Sequence, residues 1–207
     1  MAVPVLILGP SGTGKTYSLR NLKKEQYGLI ECEKTMLPFR NDKKFARTKD
    51  FGELQAIVKA YAEKYPAVVV DDFGYCITDI YMRGSWGDEK QRDQFEVYKE
   101  IAGRTYRFIE FVNDLPGDVI VYIVMHTDMD AQGNIVPATV GKLLNEKVNL
   151  VGMVNVVILA EASGGEYRFI VGGKPPAKSC GAFEENEQPN DLSVIDAGLR
   201  EFMGWSA

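Results

Sequence analysis

The chain has 207 residues, 45% of them hydrophobic and 26% charged, with a formal net charge of −5. Those figures fit one globular domain with a single sizeable core, and they exclude both a disordered chain and a protein coated in basic surface, so any nucleic-acid site must be a local patch. Cys32, Cys76 and Cys180 are odd in number and far apart, no signal peptide is evident and the apolar runs are too short to cross a bilayer, so the expectation is a cytoplasmic protein with reduced thiols and no membrane partner.

The first apolar run, Val3 to Leu8, leads into Gly9-Pro10-Ser11-Gly12-Thr13-Gly14-Lys15-Thr16, a full match to G-x-x-x-x-G-K-[ST] between a strand and a helix. Glycines let such a loop curl so that its N–H groups point inward at a polyphosphate, and the start of a helix adds a positive dipole end. Gly9 to Tyr17 is therefore the expected ATP cradle, with Lys15 reaching the β- and γ-phosphates and the Thr16 hydroxyl ligating Mg²⁺. Lys15 to about Lys24 reads as that helix, and Gly28 then releases the chain into Leu29 to Glu33, a short strand ending in carboxylates. Lys34 to Lys49 is a basic connecting loop, and Asp50-Phe51-Gly52-Glu53 is a capping-box-like start to a helix running to Lys64.

Ala67 to Asp72 is an apolar run ending in two aspartates, the natural Walker B partner of a phosphate loop, in which Asp71 holds Mg²⁺ through water. Met82 to Asp88 reads as a Gly-punctuated loop, and a helix from about Glu89 to Asn113 follows, with Phe95, Tyr98, Ile101, Ala102, Thr105, Phe108, Ile109 and Val112 on its core face. Val119 to Met125 is a buried strand whose tip is His126, the only histidine of the chain. A zinc site built from that histidine and the three cysteines lacks metal-ligand spacing. Asp128 to Gly141 reads as a long loop, Lys142 to Val148 as a short helix and Val154 to Ala160 as another strand, with Tyr167 to Val171 returning as an antiparallel hairpin partner. Gly173 to Asn190 is irregular, and Asp191 to Met203 closes the chain as an amphipathic helix.

Strands alternating with helices predict an α/β fold with a mostly parallel sheet and the ligand at the C-terminal strand ends. The loop Gly9–Thr16, Leu29 to Glu33, Val68 to Asp72, Val124 to Thr127 and Pro175-Pro176-Ala177-Lys178 together resemble the RecA-like ATPase core, and more closely the small phage ATPases of that branch associated with single-strand annealing and recombination. The resemblance implies one P-loop NTPase domain over 1–207, a three-layer sandwich with a RecA-like core and a C-terminal antiparallel hairpin. In it a further strand, the one ending in His126, lies between the phosphate-loop strand and the Walker B strand. Glu33 is the first choice for the carboxylate that activates water and Asp72 the alternative; His126 is either a γ-phosphate sensor or a structural histidine.

The resemblance also implies single-stranded DNA as a partner, facing the stretches Arg83 to Asp88 and Thr127 to Gly141. Arg83 and Trp86, together with the basic stretch Arg40 to Lys49, are the candidate contacts, since Trp can stack on bases and Lys or Arg can pair with phosphates. The sequence departs from a strongly DNA-binding pattern in the second stretch, which carries Asp128 and Asp130 and no basic residue before Lys142. A single-strand-binding protein, a homo-oligomer, and Lys178 acting on a neighbour's phosphates complete what the resemblance implies, with the host cytoplasm as location for a phage protein. A nucleotide or small-molecule kinase and a nucleotide-gated interaction module are the competing readings.

Overall fold

The computed structural model describes residues 1–40, 45–86, 93–140 and 148–205, leaving aside the side chains of Ser85 and Trp86. Its main sheet is formed by β1 (Val3–Leu8), β2 (Tyr27–Glu31), β3 (Ala46–Arg47), β4 (Ala67–Asp71), β5 (Ile120–Met125), β8 (Val156–Ser163), β9 (Glu166–Ile170) and β10 (Glu187–Pro189). They lie in the order β10-β9-β8-β1-β5-β4-β2-β3. The run from β8 to β3 is parallel, while β9 and β10 add as antiparallel neighbours at the far edge. β5 does lie between the phosphate-loop strand β1 and the Walker B strand β4.

The period of two along each strand divides the core into two layers. Leu6 and Leu8 of β1 pack with Val68, Val70, Val121 and Ile123 under α1 (Phe51–Ala62), α2 (Gly74–Trp86) and α3 (Gln94–Asp114). Val5 and Ile7 face the other way, with Val69, Tyr122 and Val124, under a 3₁₀ helix (Thr16–Asn21) and α5 (Leu192–Met203). A single helical turn, α4 (Leu150–Met153), precedes β8, and a separate hairpin of β6 (Thr127–Met129) and β7 (Ile135–Pro137) stands at the end of β5.

Several elements differ from the expectations. The helix expected over Lys15 to Lys24 is only the 3₁₀ turn Thr16–Asn21, tightened by Ser18 Oγ donating to Lys15 O at 2.6 Å and by Leu22 N donating to Leu19 O at 3.1 Å. Gly28 lies inside β2 because a Cβ there would meet Tyr61 Cδ2 at 2.3 Å, and the strand ends at Glu31, not Glu33. Met82 to Trp86 is the end of α2 and not a loop; Gly84 admits Val97 of α3, whose Cγ2 would lie 2.6 Å from a Cβ. α3 begins at Gln94, capped by the Asp93 carboxylate, which leaves Phe95 exposed and buries Val97 instead. β3, β10 and the β6–β7 hairpin occupy stretches read as irregular, the hairpin being turned by Asp130, which accepts from the N–H groups of Gln132 and Asn134. The short helix expected over Lys142 to Val148 lies almost wholly outside the described residues.

Candidate nucleotide-binding site

β1 ends in the phosphate loop, whose Gly12 and Gly14 take φ values of +80° and +81°. Only glycine does so without strain. Nothing would obstruct a Cβ on Gly12, whereas one on Gly14 would lie 2.9 Å from Asn190 Oδ1 and 3.1 Å from Tyr167 Cδ1, so Gly14 is fixed by space as well as by conformation. Lys15 folds back over the loop: Nζ donates to the carbonyls of Gly9 and Pro10, each at 2.8 Å, and lies 3.4 Å from His126 Nδ1. Burial pulls the Lys15 pKa down, opposed by Asp72 and Asp71.

The Thr16 hydroxyl donates to Asp71 Oδ2 at 2.9 Å, joining the end of the phosphate loop to the last residue of β4. Asp71 is 2% exposed, and its Oδ1 has no hydrogen-bond partner among the described residues. Burial first, and the neighbouring Asp72 second, push its pKa up to about 7, against the Thr16 hydroxyl and Lys15. A hydroxyl beside a carboxylate with one open oxygen is a hard oxygen donor set, which fits Mg²⁺. Asp72, in the left-handed region at φ +59°, has Oδ1 3.4 Å from His126 Nε2. Burial and then Lys15 lower the His126 pKa, with Asp72 opposing, which keeps the imidazole neutral near pH 7. Lys15, Thr16, Asp72 and His126 share one cavity of about 660 Å³, whose wall includes Tyr17 and Tyr167.

The remaining expected residues lie apart from that cavity. Glu33 is not among its lining residues: Lys49 Nζ donates to Oε2 at 2.5 Å and the N–H of Lys34 to Oε1 at 2.8 Å, and these two bonds hold the carboxyl below its usual range. Lys178 exchanges main-chain hydrogen bonds with Val157 at 2.8 and 2.9 Å and does not line the cavity. Arg83 Nε pairs with Asp79 Oδ2 at 2.8 Å one turn back along α2, and Trp86 is the last residue of that helix.

Sequence reasoning missed a polar strap from the C-terminal part of the chain. Arg20 Nη1 donates to Asn190 O at 2.7 Å while its guanidinium stacks 4.4 Å over the Tyr17 ring, Asn21 Nδ2 donates to Asp191 Oδ2 at 2.5 Å, and Asn190 Nδ2 reaches Thr13 O at 3.5 Å. These partners are some 170 residues apart, so no local pattern could join them. Glu31, the other carboxylate expected at the end of the second strand and read as a supporting or structural acid, is buried at the end of β2, where Oε2 accepts from Arg47 Nε at 2.7 Å.

The model of the family described as AAA domain matches residues 1–181. The chain belongs to the AAA domain family. No curated protein matches it. The AAA domain match spans the phosphate loop, β4 and the tip of β5, and supports a nucleotide-binding, P-loop, AAA-type ATPase domain. β10 and α5 lie beyond the matched stretch, so the strap residues Asn190 and Asp191 are additions to the matched core. No helix among the described residues is long and apolar enough to cross a membrane.

Proposed function

We propose that this AAA domain binds ATP with Mg²⁺ and hydrolyses it. The observation that carries the reading is the Thr16–Asp71 contact, with the second Asp71 oxygen buried and open beside it. Bound Mg²⁺ supplies charge neutralisation to the phosphates. Thr16 and Asp71 are the residues that would hold it, Asp71 as the carboxylate. Lys15 has two of its three ammonium donors on loop carbonyls and the third within reach of His126 Nδ1, the contact it would exchange for phosphate. Asp72 is the carboxylate that orients the attacking water and accepts its proton, since it lines the cavity while Glu33 is neutralised by Lys49. The neutral His126, between Lys15 and Asp72, donates or accepts one hydrogen bond according to the state of the γ-phosphate and passes that state to the β6–β7 hairpin that follows it.

Single-stranded DNA is the proposed partner, met with a single-strand-binding protein in phage-type recombination or annealing. The support is the resemblance, together with Arg83 and Trp86 three residues apart in the last turn of α2. The exposed Arg83–Asp79 pair is weak enough to be exchanged for a phosphate. In a homo-oligomer Lys178, which is not in its own cavity, acts on the neighbour's transferring phosphate, where a cation is worth ~10³-fold or more in rate.

The test is ATP turnover against protein concentration, with and without single-stranded DNA. Lys15→Ala is expected to abolish turnover, and DNA to raise it in a salt-sensitive way that Arg83→Ala with Trp86→Ala removes. Lys178→Ala is expected to be nearly inactive and to regain partial activity when mixed with Lys15→Ala. Wild-type turnover in Lys15→Ala overturns the ATP site, turnover indifferent to DNA overturns the partner, and phosphate transfer to an added acceptor in place of hydrolysis identifies a kinase.

A further inference from the structure

Beyond the matched stretch, α5 and the segment before β10 enclose an open groove of about 540 Å³. Its floor is apolar, formed by Phe183, Val194, Ala197 and Gly198, and Phe183 lies so close to the helix that its Cε1 would be 2.5 Å from a Cβ on Gly198. Glu184, Glu185 and Glu201 stand on the rim, and among the described residues none of them has an ion-pair partner and no Lys or Arg lines the groove. Such a rim repels phosphate and therefore nucleic acid. It suits a segment with an apolar anchor between cations.

The same chain presents that segment at the opposite edge of the sheet. Between β2 and β3, Leu37 and Phe39 turn inward and pack against the second core layer, which leaves Lys34, Met36 and Arg40 facing solvent. Met36 is 92% exposed, and neither Lys34 nor Arg40 has an ion-pair partner among the described residues. Lys34 to Arg40 can reach ~20 Å when extended, and Val194 to Glu201 rises only ~10 Å along α5, so one segment suffices to cover the groove.

We propose that residues 34–40 of one copy dock in the α5 groove of a second copy, with Met36 on the apolar floor and Lys34 and Arg40 against the rim glutamates. The two surfaces differ and lie by the two edges, β3 and β10, of one sheet, so the contact is head-to-tail and repeats around a ring or along a filament. Thr35, Met36 and Pro38 also line the nucleotide cavity, so the neighbour closes over one wall of it; this consequence, unlike the contact itself, rests on the ATP reading above.

Sedimentation of the full chain without nucleotide tests the contact independently of ATP binding, which Lys15→Ala tests on its own. The wild type is expected to form species larger than one chain that dissociate at high salt. The triple variant Glu184→Lys, Glu185→Lys, Glu201→Lys and the double variant Lys34→Glu, Arg40→Glu are each expected to weaken self-association at least ~100-fold, because like charges then meet across the contact. An equimolar mixture restores opposite charge at both junctions and should reassemble, which misfolded variants cannot do. A wild type that remains a single chain, charge swaps without effect, or a mixture that fails to reassemble would each overturn the proposal. A single-chain wild type whose groove captures a synthetic Lys/Arg-rich peptide with a central Met would assign the groove to a different protein.

Discussion

In a regular strand the side chains of Asp71 and Asp72 would alternate to opposite faces. The left-handed backbone at Asp72 breaks that alternation where β4 ends, and both carboxylates reach the phosphate-loop side: Asp71 on Thr16, Asp72 beside His126. A residue of this type tolerates such a φ better than most, at a cost of order 1 kcal/mol. Glu33 was favoured from the sequence because a longer acid at a strand tip suits a general base. β2, however, stops at Glu31, and Glu33 lies two residues further on, held by Lys49 from across the loop. Neither the strand's end nor the lysine 16 residues away is visible in a local pattern. Asp72→Asn is accordingly expected to bind ATP and turn it over at least ~100-fold more slowly, the scale of a lost general base. Glu33→Gln should stay within a few-fold of wild type in the same single-turnover assay, and the reverse order would return the role to Glu33.

At the scale of elements, legibility followed locality. α1 was readable from Asp50, whose carboxylate accepts from Glu53 N at 2.9 Å, and β4 and β5 from their unbroken apolar runs. α2 was not, because Gly74 and Gly84 punctuate it like a loop and the reason for Gly84 is Val97 on another helix. The strap between the phosphate loop and the start of α5 was hidden in the same way. Its stability can be read through pH. Burial raises the Asp191 pKa, but the hydrogen bonds from Asn21 and Ser193 outweigh it and leave the carboxyl below its ordinary 3.8. An acid depressed in the folded state contributes stability that is fully present above its unfolded pKa and lost as pH falls through the folded one. Melting the wild type and Asp191→Ala between pH 2 and 7 is therefore expected to give a gap of ~1 kcal/mol, the value of an N-cap, that is constant near neutrality and closes below about pH 4. A gap that widens on acidification would show that Asp191 acts otherwise.

For the whole molecule, it was the resemblance to the RecA-like core that placed the strand ending in His126 between the phosphate-loop strand and the Walker B strand, where the sheet has it. What lies beyond the AAA domain match was harder to read, and it bears on whether the match alone is a folding unit. α5 covers the second core layer with Leu192, Ile195 and Leu199, all buried. Three such side chains contribute ~5–9 kcal/mol when buried. Asp196 accepts the Tyr122 hydroxyl at 2.9 Å, and the largely buried Arg200 donates to Pro66 O at 2.6 Å and Asp118 O at 3.3 Å, fastening the helix to the N-terminal ends of β4 and β5. Total stabilities of ~5–15 kcal/mol leave little once that layer is gone. Removal of 182–207 would also expose Tyr122, Ile158 and Phe169 and release the strap on Thr13 and Arg20. A chain ending at residue 181 should thus lack a cooperative thermal transition by circular dichroism and be cleaved throughout by protease, with ATP and Mg²⁺ failing to protect it. A cooperative melt within a few degrees of the full chain would show instead that residues 1–181 fold alone and that α5 is an accessory to a core already complete.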